Sequence, residues 1–207
     1  MRIASTFLLS TTLMAQAPSP VAAVDYPLTK AEKAQAIEML AKSREAFVRS
    51  LEGLSEAQVH FKAAPEKWSI LECAEHIANT ETLVGQGVVT KGLQGSPDPS
   101  KRAEIGVLDA APVAMMLDRS RKFTAPDMVA PKGRLMDLKA VLAAFDGGHD
   151  LLVAAAEKGD GLRSRVAPHP GFGTIDLYQW ILFTAAHTAR HTQQILEVKS
   201  AAGYPAK

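Results

Sequence analysis

Thr184–Ile195, TAAHTARHTQQI, sets His187 and His191 four residues apart, the spacing that stacks two side chains on one helical face about a turn apart. Outward from this pair, Trp180, Thr184, His187, His191, Gln194 and Val198 follow steps of three and four on one face. Ile181, Leu182, Ala185, Ala189, Ile195 and Leu196 line its flanks. A helical period with an aliphatic flank and a polar seam predicts an amphipathic helix at the edge of a core, from Thr174 to about Ala202.

A second segment, Trp68–Glu81 (WSILECAEHIANTE), carries His76. Ser69-Ile70-Leu71-Glu72 is a capping box, so this helix opens at Ser69 and His76 lies in its middle. It runs to about Gly92, where GLQGSPDPS stops it. A third imidazole from a facing helix completes a metal-binding triad. Zinc, nickel and iron all accept imidazole nitrogen, and three protein ligands leave positions open for water or substrate. The competing reading is a hydrogen-bonded polar seam that binds nothing.

The rest of the chain reads in the same period. Thr29-Lys30-Ala31-Glu32 is another capping box, and Ile37, Leu40, Ala41, Phe47, Val48 and Leu51 continue the helix to Gly53. Between Lys101 and Pro131 one short helix is expected around Val113–Phe123. Leu135, Leu138, Val141, Leu142, Phe145, Leu152 and Val153 then carry a helix to about Lys158, despite Gly147-Gly148. No strand is expected. The fold class is therefore all-α, a four-helix bundle of up-and-down type with one longer, partly irregular crossover between the second and third helices.

The chain has 207 residues, 47% of them hydrophobic and 22% charged, enough for one well-buried domain. Arg2, an apolar run from Ile3 to Met14, and the small-residue sites Ala15-Gln16-Ala17 and Val21-Ala22-Ala23 predict a secretory signal peptide over residues 1–23. The organisation expected is then a linker over 24–28, a helical domain over 29–202 and a tail over 203–207, with the mature protein periplasmic or secreted. Removal of Arg2 leaves 22 basic and 22 acidic residues. That neutrality provides no electrostatic footprint for nucleic acid or, after processing, for a membrane. The single cysteine, Cys73, excludes an internal disulfide and reads as a buried, inert thiol.

Glu72, four residues before His76, shares its face. It can cap the helix, add a ligand, accept a hydrogen bond from one, or act as a general base. His149 falls on an apolar stripe and reads as a satisfied core imidazole. His60 and His169 fall in loops with nothing paired to them. The sequence contains no glycine-rich phosphate loop, GxSxG, HExxH or CxxC, so nucleophilic hydrolysis by serine or cysteine has no local support.

Trp68-Ser69 ahead of a helix bearing His76, followed by PHPGFGTIDLYQWILFTAAHTARHTQQI with Trp180, His187, Arg190-His191 and Gln194, resembles the DinB/YfiT-like superfamily, particularly its second large subgroup. The likeness spans about Thr29 to Ala202. It implies a four-helix bundle with a divalent zinc, nickel or iron ion held by His76, His187 and His191, and frequent homodimers. It also implies a small-molecule substrate, with low-molecular-weight thiols such as mycothiol, bacillithiol or glutathione serving characterised relatives. The export signal departs from that picture, because those thiols are chiefly cytoplasmic. Two functions stand side by side: a metal-dependent transferase or hydrolase activating a thiol or water, and a non-catalytic module binding metal or a small ligand. A purely structural bundle is the third.

Overall fold

A computed structural model describes residues 26–207; the expected signal peptide and the first linker residues lie outside the described residues. In chain order the elements are α1 (Lys30–Leu51), α2 (Glu56–His60), α3 (Ile70–Thr82), a π-helical turn (Leu83–Thr90) leading into α4 (Lys91–Gln94), α5 (Pro99–Arg102), α6 (Ala110–Leu117), α7 (Leu138–Lys158), strands β1 (Val166–His169) and β2 (Gly173–Asp176), and α8 (Leu177–Lys199). The four long helices α1, α3, α7 and α8 form the bundle. α1 packs on α7 and α8, and so does α3. The first two bundle helices therefore face each other across one diagonal, and the last two across the other.

Local chemistry starts these helices where the sequence places them. Thr29 and Glu32 exchange capping bonds at α1, with the Thr29 N–H donating to Glu32 Oε2 over 2.7 Å. Ser69 and Glu72 do the same at α3. A third box, Asp176 with Gln179, opens α8, so α8 begins at Leu177 rather than Thr174. Asp176 is 1% exposed and accepts from Arg163 and Arg102, each over 3.0 Å. Arg163 also reaches Asp109 and Glu32 and lies 4.1 Å over the Tyr178 ring. One guanidinium thus ties together the starts of α1, α6 and α8.

Three expectations are corrected. Where no strand was expected, the HPGFG region folds into the antiparallel hairpin β1–β2, pairing Val166 with Asp176 and His169 with Gly173. Its four-residue strands are too short to show an alternating pattern, and Gly173 at φ 70° turns the chain. The helix expected at Val113–Phe123 occupies Ala110–Leu117 instead, because the Asp118 carboxylate accepts from the Ser120 N–H over 3.0 Å and folds the chain into a turn. His60 ends the short helix α2, with its Nε2 3.4 Å from Glu56.

The core has two apolar halves. Leu40, Leu152, Ile181 and Leu182 belong to one; Phe47, Ile70, Ile77, Phe145 and Ile195 belong to the other. Glu81, His149 and Thr188 are buried as well. Thr188 donates to Glu81 Oε1 over 2.8 Å. His149 stacks on Phe145 as a core imidazole, yet its Nδ1, 3.6 Å from Glu81 Oε2, has no hydrogen-bond partner among the described residues. Contrary to the sequence reading, it is therefore not satisfied.

Here α7 crosses the second bundle helix backbone to backbone. A Cβ on Gly148 would sit 2.4 Å from the Glu81 carbonyl carbon, and one on Gly85 would sit 2.4 Å from the Gly148 oxygen. The widened π turn begins within this crossing, at Leu83, between Glu81 and Gly85. Gly147 beside it is exposed and has open space around its Cβ position. Gly148→Ala is expected to cost about 3 kcal/mol by forcing the helices apart, whereas Gly147→Ala gains up to about 1 kcal/mol from helix propensity. Urea denaturation of the two variants checks the pair, and equal effects would contradict the crossing.

Candidate metal centre

His76 projects from α3, and His187 and His191 from successive turns of α8. One nitrogen from each ring falls within a mutual spread of 4.8 Å. The ring centroids are 4.5–4.8 Å apart. His76 and His187 are 2% and 7% exposed, and His191 is half-buried, so the group meets solvent chiefly on the His191 side.

Neighbours set the tautomers. His76 Nδ1 lies 2.8 Å from the Val129 carbonyl oxygen, which can only accept, so the proton is on Nδ1 and Nε2 carries a lone pair. His191 Nδ1 is 2.9 Å from Gln194 Oε1, which assigns it the same way. Behind metal-ligating imidazoles such partners fix both tautomer and ring orientation. Trp68 packs on His76 and His191 with centroids 5.0 and 6.1 Å away.

His187 is the unsatisfied member. Its Nε2 is 3.0 Å from His76 Nε2, while its buried Nδ1 has no hydrogen-bond partner among the described residues. With its proton on Nδ1, two lone pairs confront each other at 3.0 Å; with it on Nε2, the buried Nδ1 lone pair is abandoned. A shared cation resolves the first arrangement, because three imidazole Nε2 atoms are the donor set that zinc, nickel and iron accept.

All three rings favour the neutral, ligating form. Burial holds His187 well below the ordinary histidine range, with His191 and His76 adding repulsion. Burial lowers His191 to about 3 and also lowers His76, against the opposing pull of the Val129 carbonyl. Cys73 is buried, and burial pushes its thiol up to about 12, which agrees with an inert side chain.

Glu72 does not join the group. Its carboxylate accepts from the Ser69 N–H and from Lys62 Nζ, both over 2.7 Å, so the capping reading is the one its contacts carry. Sequence reasoning missed two other anchors. Glu75, 1% exposed, accepts from the backbone N–H groups of Lys132, Gly133 and Arg134 over 2.9–3.2 Å. Arg190 donates to the Met116, Asp118 and Arg121 carbonyls. Together they pin the crossover, including Val129, over the histidines. A charged residue one position before a candidate ligand was the available signal for each. Its partners, backbone groups far away in sequence, were invisible.

The comparisons with known proteins agree with this fold. YuaE of Bacillus subtilis strain 168, an uncharacterised protein, is 28% identical over 150 residues, covering 72% of this chain and 88% of YuaE. Two solved structures share the fold. TT2238, a four-helix bundle protein, matches with a TM-score of 0.51 and 22% identity over 80% of this chain and 98% of its own. YfiT from Bacillus subtilis, described as a probable metal-dependent hydrolase with an unusual four-helix bundle topology, matches with a TM-score of 0.53 and 14% identity over 92% and 95%. The family model of the DinB superfamily matches residues 39–195. That span takes in all or part of each of the four bundle helices and all three histidines, and the chain belongs to the DinB superfamily.

Proposed function

We propose that this is an exported DinB protein in which His76, His187 and His191 hold one divalent ion, and that it acts as a metal-dependent hydrolase or transferase on a small molecule. The observation that carries the reading is the 3.0 Å approach of the His76 and His187 Nε2 atoms within a cluster of three histidines whose ring nitrogens lie within 4.8 Å of one another. When bound, zinc, nickel or iron supplies Lewis acidity that stabilises the deprotonated form of water or a thiol at neutral pH. The description of YfiT as a probable metal-dependent hydrolase favours water as the activated group.

The chain's own residues then do the positioning. Val129 and Gln194 hold the ring tautomers, Glu75 and Arg190 hold the covering segment, and the half-buried edge of His191 leaves the side from which a substrate enters. One observation favours a second reading, a non-catalytic metal-binding module: Glu72, the acid–base candidate, is engaged with Lys62 and the helix cap. The expectations of a possible homodimer and of a thiol cosubstrate remain parts of the proposal.

Metal analysis of mature, tag-free protein tests the centre. About one equivalent of zinc, nickel or iron is expected, and His187→Ala or His191→Ala should retain less than about a tenth of it; an empty wild type after incubation with all three ions refutes the centre. Turnover of ester substrates that disappears in both variants supports the hydrolase. Tight ion retention without turnover of esters or thiols supports the binding module.

Glu75→Gln should weaken metal binding by about tenfold without touching a ligand, because the Val129 carbonyl loses its anchorage behind His76. Competition with a fluorescent chelator measures this, and unchanged affinity would remove Glu75 from the site.

A further inference from the structure

His169 ends β1 and was set aside in the sequence reading as an unpaired loop residue. The fold delivers it to the histidine face of α8. Its ring lies 4.7 Å from Trp180 and 4.5 Å from Phe183 by centroid, and Phe183 lies 5.7 Å from His187. Trp180, Phe183 and His187 follow steps of three and four, so a row of rings leads from the metal centre along α8 to the hairpin.

The protonation of this imidazole is fixed by its own turn. Nδ1 accepts from the Gly171 N–H over 3.0 Å, which puts the proton on Nε2, on the far side of the ring from that bond. Nε2 has no hydrogen-bond partner among the described residues, and the side chain is half-buried. Burial also lowers the group to about 4, so at neutral pH it is an uncharged donor. It is near enough to His187 to contribute to the depression of that ring. A partly buried donor aimed away from its own turn, one ring from an ion site, suits a ligand acceptor group.

We infer that His169 is a specificity-determining residue: its Nε2–H receives a carbonyl or carboxylate on a ligand whose other end sits at the histidine triad, with Phe183 and Trp180 flanking the apolar spacer between. The substrate class is thus a small molecule with two polar ends separated by several apolar atoms, rather than a compact one. This inference rests on the metal-centre reading.

The test uses Co(II)-loaded mature protein, with glutarate and propionate as probes and the visible cobalt spectrum as the readout. Glutarate should bind wild type about tenfold more tightly than propionate, the value of one hydrogen bond to a charged group. His169→Phe should abolish that preference while leaving cobalt content and propionate affinity unchanged. His169→Gln, which restores an N–H donor, should recover part of it. A preference absent in wild type, or retained in His169→Phe, overturns the inference while the metal centre stands. Failure of wild type to take up cobalt overturns both. Should His169→Phe misfold by circular dichroism, His169→Gln and His169→Leu decide, with retention of the preference in Leu counting against the proposal.

Discussion

Three mutually touching, largely buried imidazoles are not all satisfied among the described residues, and much of the surrounding structure keeps them neutral and aimed. Burial removes the water that would stabilise the charged forms. The Val129 and Gln194 carbonyl oxygens accept hydrogen bonds from the Nδ1–H groups of His76 and His191, which leaves both Nε2 lone pairs free. His187 is left with a buried nitrogen that no side chain answers. A protein gains nothing in stability from such an arrangement. A cation that accepts the lone pairs converts the cost into a binding site.

The cover over these rings is held by backbone chemistry more than by apolar packing. Glu75 gathers three consecutive N–H groups and Arg190 three carbonyls, so an otherwise irregular crossover has its polar groups paired where it crosses the site. Behind the site, the Gly148–Gly85 crossing brings α7 against the second bundle helix at backbone distance. That crossing places His149 beside Glu81, and Glu81 in turn holds Thr188, the neighbour of His187. The helix that supplies no ligand thus still shapes the helix that supplies two.

Much of this was legible in the sequence. Capping boxes at Thr29 and Ser69 depend on groups three residues apart, so they are written locally and appear where expected. The pairing of His187 with His191 follows from helical pitch alone. The hairpin was not legible, since strands as short as Val166–His169 show no period, and neither was the role of Glu72, whose engagement with Lys62 depends on how the loop before α3 folds back. His169 carried no signal, because its neighbours Trp180 and Phe183 reach it only after the hairpin closes.

The sequence by itself determined the four long helices, the starts of α1 and α3, and which residues had the chemistry of a metal ligand, because capping and periodicity are short-range. Only the tertiary structure decided that α1 and α3 stand across a diagonal, that His76 meets the α8 pair, and that Val129, Glu75 and His169 come to lie around them. Those facts rest on contacts between groups some 50 to more than 100 residues apart, or on rings that meet only across a hairpin closure. Such contacts are set by side-chain volume and by the need to pair buried polar groups, and no local pattern encodes either.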